Sequence, residues 1–496
     1  MKKLSFLFVF SLLGLIQVSA QEDKSEKLSD FIERTLQSAS IIPGVSVAVA
    51  DANGTLYTSG FGFADVENKI PATANTDFYI ASITKSFNGL LATILAEEGR
   101  IDLNAQITRY KPFSEFEDKE LFQNITVMDL LSHQSGIDNK YLSFKLAYTG
   151  DYTKEEILNL VENDCSANED GKAFDYSNFG YYLLDLLLMA ELDESWKDLL
   201  QKKIFSPLGM ANTTAYISKA NPQNLALPYM TIFPEKVDQV YLKKNDQTMH
   251  AAGGLVTSAN DIARFISFYA SKGSIGDQPL YPSSLIRQTY AQQTEADHRI
   301  VQIFEAYGYG AGWRLGKYKG NEVAYHFGGY PGFFSHLSFL PEQQIGVAVF
   351  VNHQLGMPLA DLIAEYAYDL YLGNEEHLQV LDKTAADKLS KMLERYQKGF
   401  KANEEKMSKR TWQLTLPKQA YTGTYYHEKI GSIMISLENE TFKVKSSRLQ
   451  AEATPFTKED CMRIELIPGS GKIIQFKSEG GKIESLKFRG EIFKKL

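Results

Sequence analysis

The spacing of apolar positions changes along the chain and divides it into segments. Gly44 to Ala50 is apolar except at Ser46 and predicts a buried strand, and Asn53-Gly54 favours a two-residue hairpin turn before a return strand at Leu56 to Phe63. A long middle stretch has helical spacing. Strand patterns then return at Tyr309 to Leu315, Val323 to Phe327, Phe334 to Leu340 and Ile345 to Val351. Strands at both ends of a helical middle predict one antiparallel sheet with helices, an α/β (α+β) domain.

A charged segment separates this domain from a second apolar pattern. Between Asn374 and Arg410, a helical stripe of apolar residues predicts a connecting helix, formed by Leu389, Met392, Leu393, Tyr396 and Phe400. Beyond Trp412, short alternating segments lie at Ser432 to Leu437, Thr441 to Val444, Ile464 to Ile467, Ile473 to Phe476 and Ile483 to Phe488. The predicted organisation is a main domain at 21–373, a helical linker at 374–411 and a small all-β module at 412–496.

The first 20 residues have the pattern of a secretory signal peptide. Met1-Lys2-Lys3 precedes an apolar run from Leu4 to Val18, and Val18-Ser19-Ala20 offers a small-x-small cleavage site. The run is shorter than the about 20 apolar residues that a membrane span requires, and no later stretch is long and apolar enough. We therefore expect an exported protein without a membrane span, periplasmic or secreted, and the Lys-Lys start favours a bacterial source.

Composition and charge narrow the possible partners. The 496 residues are 44% hydrophobic and 12% aromatic, which excludes global disorder. The formal charge is −9, from 61 acidic and 52 basic residues, so nucleic acid and anionic lipid are disfavoured and a small-molecule or peptide substrate is favoured. Cys165 and Cys461 lie far apart, and the spacing of a structural zinc site is absent. No metal or cofactor is predicted, and the sequence leaves the oligomeric state open.

A serine and a lysine lie three residues apart at the start of one helical pattern. Ser82 opens a segment whose apolar spacing continues to Gly99, so Ser82 lies at a helix N-terminus. Lys85 shares its face, with about 5–6 Å between Cβ atoms, and can reach the hydroxyl. A partly desolvated lysine can act as a base, and the helix dipole favours negative charge near Ser82. Taken alone, the pair also fits a capping serine beside a solvated lysine.

Two further clusters carry groups suited to the same chemistry. Tyr176 and Asn178 precede an apolar helix at Tyr182 to Leu188; a tyrosine near cations can serve as a general base, and the asparagine amide can orient a lysine or a substrate. His326 is followed by Gly328 and Gly329 between two predicted strands, where a backbone N–H can face a developing oxyanion. In isolation, these clusters also fit a buried tyrosine, a capping asparagine and a glycine-rich hairpin.

Together the three clusters resemble the active-site motifs of the serine β-lactamase and D,D-peptidase superfamily. Ser82-x-x-Lys85, Tyr176-x-Asn178 and His326-x-Gly328 follow in the order of that family, about 90 and 150 residues apart. The second and third motifs resemble the branch that holds class C β-lactamases, D,D-carboxypeptidases, D-aminopeptidases and esterases. The resemblance covers about residues 26–372, and its flanking matches are at 130–136, 207–210, 253–261 and 309–313.

This resemblance implies both a fold and a set of roles. The fold would be a β-lactamase-like antiparallel sheet flanked by helices, with a helical subdomain; the segment from Tyr421 to Tyr425 is similar to the opening of a lipocalin-like β-barrel domain. Ser82 would be the nucleophile, with Lys85 and Tyr176 as the proton-shuttling pair. Substrate-binding and orienting roles would fall to Asn178, His326 and Gly328, and the oxyanion hole to the backbone N–H groups of Ser82 and Gly329. His133 is expected to be a packing residue.

One departure from the family pattern bears on the substrate. Where many relatives have Lys-Thr-Gly or His-Thr-Gly, the middle residue is Phe327, which has no donor, and a neutral His326 attracts a carboxylate weakly. The leading hypothesis is a hydrolase of esters or peptides, with D-amino-acid peptides as candidates. A class C-like β-lactamase or D,D-carboxypeptidase stays an alternative, as do a non-turnover penicillin- or peptide-binding sensor and a glycan-binding β-module.

Overall fold

A nine-stranded antiparallel sheet forms the centre of the first part of the chain. The structure is a computed structural model that describes residues 21–233, 236–301 and 303–496, so the predicted signal peptide lies outside the described residues. Its strands are β1 Gly44–Asp51, β2 Gly54–Asp65, β3 Ile70–Pro71, β4 Thr294–Val301, β5 Phe304–Tyr309, β6 Arg314–Tyr318, β7 Asn321–Tyr330, β8 Phe333–Leu340 and β9 Ile345–Val351. They are ordered β4-β5-β6-β7-β8-β9-β1-β2-β3, so strands from both ends of the domain meet at β9 and β1, as predicted.

The largely apolar character of β1 and β9, at the centre of the sheet, has a direct cause. Side chains alternate across a strand, and in β1 Val45, Val47 and Val49 enter one core cluster while Ala48 and Ala50 enter the other. A sheet covered by helices on both faces needs apolar residues at every position. The two clusters are the two layers of the domain core.

Helices cover both faces of this sheet. One face packs against α1 (21–38), α11 and α12, and the other against helices that include α2, α6 and α9. The further α-helices of the described chain are α2 Thr84–Glu97, α3 Val127–Leu131, α4 Lys140–Phe144, α5 Lys154–Asp164, α6 Phe179–Leu192, α7 Trp196–Leu200, α8 Ser206–Leu208, α9 Ala259–Ala270, α10 Ser283–Thr289, α11 Met357–Leu372 and α12 Glu375–Ser408, and π-helical turns at Lys145–Thr149 and Gln201–Phe205 extend α4 and α7. Short strand pairs lie at Phe78–Tyr79 with Val256–Thr257, Ile137–Asp138 with Ser166–Ala167, Tyr229–Phe233 with Lys236–Gln239, and Ser274–Ile275 with Gln278–Pro279. None of the described helices is long and apolar enough to cross a membrane.

A second nine-stranded sheet follows α12 and is a nearly closed barrel. Its strands are β10 Gly423–His427, β11 Gly431–Glu438, β12 Thr441–Ser446, β13 Leu449–Glu452, β14 Thr454–Pro455, β15 Cys461–Ile464, β16 Lys472–Glu479, β17 Lys482–Phe488 and β18 Glu491–Lys495. Their order is β13-β12-β11-β10-β18-β17-β16-β15-β14, and a single residue, Ala453, joins the two outermost strands. The predicted architecture, an antiparallel sheet flanked by helices and followed by an all-β barrel, is confirmed.

The barrel packs directly on the first part of the chain. Phe144 of α4 and Met230, Val240 and Leu242 belong to the same apolar cluster as the barrel interior. Between the two parts, the backbone N–H of Gln450 donates to the Tyr241 hydroxyl at 3.3 Å. The barrel is thus held against the segment that leads into the candidate site.

Several predicted elements differ from the structure in their bounds. The predicted strand at Tyr309 to Leu315 is wrong in its middle, because β5 ends at Tyr309 and a turn with Gly312 at φ +84° precedes β6. Ile464 to Ile467 is likewise wrong, since β15 ends at Ile464. The hairpin turn lies at Ala52-Asn53, where the Asp51 carboxylate accepts the Asn53 N–H at 2.8 Å.

The apolar stripe of the long helix α12 also begins earlier than predicted. Its buried residues are Leu378, Leu381, Ala385, Leu389 and Leu393. Tyr396, which the sequence pattern placed in the stripe, is 38% exposed. The helix therefore packs on the sheet domain through its first half only.

Candidate active site

Ser82 lies in a single 3₁₀ turn, Ala81–Ile83, that leads directly into α2. Ala81 has φ +46°, a conformation that residues with a side chain rarely adopt. The edge of β7 lies against this turn, since a Cβ at Gly328 would overlap the carbonyl oxygen of Ile80. The glycine of the third motif thus lets the strand approach the backbone that carries Ser82.

Lys85 is fully buried behind Ser82, one turn along α2. Its Nζ donates to Ser82 Oγ at 3.2 Å, to Asn178 Oδ1 at 2.8 Å and to the carbonyl of Ala252 at 2.8 Å. Burial lowers the pKa of Lys85, and Arg314 lowers it further, while Tyr176 opposes both. Three acceptors match the three N–H bonds of an ammonium group, so the hydrogen-bond geometry favours the protonated lysine.

Tyr176 lies between two cations at the end of the loop before α6. The Lys85 Nζ is 5.0 Å from its ring centroid, and the Arg314 guanidinium carbon is 4.7 Å from it. Burial by itself raises the pKa of Tyr176, but the charge of Lys85, the polar interactions of the phenol with Ser82 and Lys85, and the charge of Arg314 outweigh it, and the pKa is lowered. The phenol is thereby prepared to accept a proton from the serine.

His326 is buried beside Tyr176 with both ring nitrogens already engaged. Its Nδ1 donates to the carbonyl of Phe327 at 2.9 Å, and its Nε2 therefore accepts from the Tyr309 hydroxyl at 3.0 Å. Burial lowers the pKa of His326 well below its usual value, and the cations Arg314 and Lys85 lower it further. The imidazole is neutral and directs neither ring nitrogen toward a substrate.

Gly329 follows Gly328 along the edge of β7 that borders the Ser82 turn. It pairs with Phe334 of β8, and a Cβ built on it would meet no atom within 4 Å. Phe327 points to the opposite face of the sheet, where it packs with Phe304 and Phe334. The space beside Gly329 is open, as an oxyanion site requires.

The structure brings together the sequence-predicted residues Ser82, Lys85, Tyr176, Asn178, His326, Gly328 and Gly329. It also adds three side chains that sequence reasoning did not assign to the site. Arg314 opens β6 and lies over Tyr176, Tyr309 bonds His326, and His133 packs on Tyr176 with ring centroids 4.4 Å apart. The sequence pointed to Tyr309 only through the flanking segment 309–313, which resembles the family. For Arg314 the sequence offered only its position next to that segment.

A serine, a buried lysine and a tyrosine thus lie together at the start of α2. The family model described as beta-lactamase matches residues 31–371. The chain belongs to the beta-lactamase family.

Comparisons with individual proteins agree with this membership. Protein flp of Staphylococcus aureus is 26% identical over 384 residues, which cover 76% of this chain and 71% of flp. Unguisins hydrolase ungD of Aspergillus violaceofuscus is 24% identical over 479 residues, which cover 88% of this chain and 81% of that protein.

Solved structures with the same fold include a penicillin-binding protein homologue and an amidase. The octameric penicillin-binding protein homologue of Pyrococcus abyssi has a TM-score of 0.57 at 23% identity and covers 94% of this chain and 99% of its own. D-amino acid amidase of Ochrobactrum anthropi, complexed with L-phenylalanine amide, has a TM-score of 0.59 at 24% identity and covers 72% of this chain and 99% of its own. These two likenesses establish the fold.

Proposed function

We propose that the protein is a serine hydrolase that cleaves an amide or ester bond through an acyl-enzyme on Ser82. The observation that carries the proposal is the contact of the Ser82 hydroxyl with both Lys85 and Tyr176. Because the hydrogen bonds of Lys85 fit an ammonium group, Tyr176 is the base of this pair.

The proton follows one path through the reaction. Tyr176 accepts the hydroxyl proton as Ser82 Oγ bonds to the substrate carbonyl carbon, and the N–H groups of Ser82 and Gly329 stabilise the oxyanion. The bond to the leaving amine or alcohol then breaks, and Tyr176 returns the proton to it. Water next attacks the acyl carbon, gives its proton to Tyr176, and Ser82 leaves with that proton. Asn178 holds Lys85 in place, and His326 positions the strand edge through Tyr309 and Phe327.

Arg314 favours substrates with an anionic group. Its guanidinium lies over Tyr176, and among the described residues it has no carboxylate within ion-pair distance. Tyr176 delivers the proton to the leaving group, so Arg314 lies on the leaving-group side. A carboxylate there would regain the charge attraction that Phe327 and a neutral His326 do not supply.

The kind of substrate bond that the protein cleaves is proposed from the similar proteins together with the geometry of the site. One structural neighbour is an amidase of D-amino acids and one relative is a hydrolase of unguisins. We accordingly place amides, D-amino-acid amides and peptides first, ahead of simple esters, and penicillin-type lactams after them.

A panel of substrates tests this proposal. D- and L-phenylalanine amide, a peptide ending in D-Ala-D-Ala, p-nitrophenyl acetate and nitrocefin are compared on wild type, Ser82→Ala and the exposed control Ser284→Ala. We expect turnover of at least one amide by wild type and by the control, and none by Ser82→Ala. Turnover near wild type in Ser82→Ala would refute the nucleophile, and no turnover by wild type would favour a non-turnover binding protein.

Export and domain organisation belong to the same proposal. We propose that residues 1–20 are removed on export to the periplasm or the medium, so N-terminal sequencing of the exported protein should begin at Gln21. We also propose units at 21–373, 374–411 and 412–496. Because the buried stripe of α12 ends at Leu393, limited trypsin digestion should cleave first between there and residue 411. First cleavage within 21–373 would contradict this division.

A further inference from the structure

A cavity of about 200 Å³ lies behind the candidate active site, between α6, α7 and the segment 246–250. Its walls are mainly apolar, and two of its residues are methionines. The lining includes Leu146, Ile157, Met189, Trp196 and Met249. An apolar cavity of about 150 Å³ is large enough for benzene, so this space accommodates an aromatic ring with a short polar tail.

Charged groups of opposite sign lie in the same wall. Asp185 of α6 and Lys197 of α7 both line the cavity, and they are too far apart for an ion pair. Asp185 Oδ1 is buried and has no hydrogen-bond partner among the described residues. Lys197 uses one N–H, to the carbonyl of Asp246 at 2.7 Å, and keeps two donors.

His250 adds a second buried atom without a partner. The residue lines the cavity and is 8% exposed, and its Nδ1 is unpaired among the described residues. Its ring stands edge-on to Tyr182, with centroids 5.0 Å apart. The Tyr182 hydroxyl, in the same lining, is a third buried atom without a partner among the described residues. Buried polar atoms in proteins are nearly always satisfied, so three unpaired atoms on one cavity point to a polar ligand.

These features together specify the chemistry of the ligand. A cation alone would face Lys197, an anion alone would face Asp185, and a neutral apolar molecule would leave Asp185 and His250 unpaired. A zwitterion satisfies Asp185, His250 and Lys197 together, because its ammonium can donate to Asp185 Oδ1 and to His250 Nδ1 while its carboxylate accepts from Lys197. The burial that raises the pKa of Asp185 to about 7 is partly offset by Lys197, and a bound ammonium would offset it further.

We propose that this cavity is a second binding site, for a free amino acid with an apolar side chain. The site is separate from Ser82 but adjoins the segments that hold Lys85 in place. His250 lies two residues before Ala252, whose carbonyl accepts from Lys85, and α6 carries Asp185 while it begins directly after Asn178. Binding of an amino acid to this cavity does not require turnover, so it can be tested separately from the proposed hydrolysis.

The first test uses the full chain and its own methionines as reporters. With ¹³C-methyl methionine, each enantiomer of phenylalanine is titrated into the wild-type protein. We expect one of them to give saturable shifts of the Met189 and Met249 methyls, with Met434, exposed on the barrel, unmoved. Phenethylammonium and 3-phenylpropanoate each lack one of the two charges of phenylalanine. Each should bind at least about tenfold more weakly than phenylalanine does. Equal binding of either one, or no shift of Met189 and Met249, would overturn the proposal.

Variants then test the two charges. Asp185→Asn and Lys197→Met should each weaken binding about tenfold or more, while Asp193→Asn, an exposed change at the end of the same helix, should leave it unchanged. If Asp185→Asn and Lys197→Met bind phenylalanine as well as wild type does, the assignment is wrong. Should either variant fail to fold, the ligand series on wild type still decides the question.

Discussion

Replacing Arg314 by methionine tests whether a neighbouring cation holds Tyr176 ready to accept a proton. The guanidinium carbon is 4.7 Å from the ring centroid of Tyr176, which places the phenolic oxygen roughly 6 Å from the charge. At that distance, a charge pair interacts by about 0.7 kcal/mol in water and about 2.8 kcal/mol near a protein surface. Because Arg314 is half-buried, its removal should weaken the stabilisation of the phenolate by an amount between these two figures, a factor of roughly 3 to 100 in the proton equilibrium of Tyr176.

The sign of this effect is fixed by the chemistry. A cation favours the phenolate, so its removal raises the pKa of Tyr176, and a base works only above its pKa. The rising limb of the acylation rate should therefore move to higher pH, and the rate on that limb should fall about tenfold for each unit.

The assay is the rate of inactivation by a fluorophosphonate, measured across pH. Such a probe has no carboxylate, so a loss of substrate binding by Arg314 does not enter the result. Arg287→Met, an exposed change on α10, is the matched control and should reproduce the wild-type profile. A rising limb of Arg314→Met that coincides with wild type, or that lies at lower pH, would refute the electrostatic argument.

Three further changes test other parts of the structure. Gly328→Ala should destabilise the fold by about 1–3 kcal/mol and abolish activity, because its Cβ would overlap the backbone beside Ser82; Gly329→Ala, which faces open space, should keep wild-type stability in urea unfolding. Lys85→Met should slow acylation about 10³-fold or more with the fold intact by circular dichroism, and a rate within tenfold of wild type would count against its role. Asp369→Ala should cost about 2–3 kcal/mol in urea unfolding, since the fully buried carboxylate accepts two hydrogen bonds from Lys319, while activity per folded molecule stays unchanged; an unaltered unfolding midpoint would contradict this.

Regular elements were predictable where one physical requirement dominated the sequence. β9 matches its predicted bounds, Ile345 to Val351, because a strand buried on both faces must be apolar throughout. The turn between β5 and β6 was missed because apolar residues from Tyr309 to Leu315 alternate with Gly310, Gly312 and Arg314, and alternation alone does not distinguish a strand from a tight turn. Gly312 instead packs against the backbone of Lys85, a tertiary contact that the sequence does not show.

The sequence predicted which motifs form the candidate site better than it predicted the contacts between their side chains. Ser82 and Lys85 share a helical face, which follows from their spacing. That His326 is closed off by Tyr309 depends on which strands pair and in which register, and so does the position of Arg314 over Tyr176. The cavity beside Asp185 arises from the packing of two helices on a loop, for which no local pattern exists.

The measurement that tests the central claim most directly is the mass of the intact protein after reaction with a fluorophosphonate, followed by peptide mapping. We expect a single adduct on Ser82 in wild type, and none in Ser82→Ala under the same conditions. An adduct on another residue, or an unmodified wild-type protein, would contradict an activated serine at the start of α2.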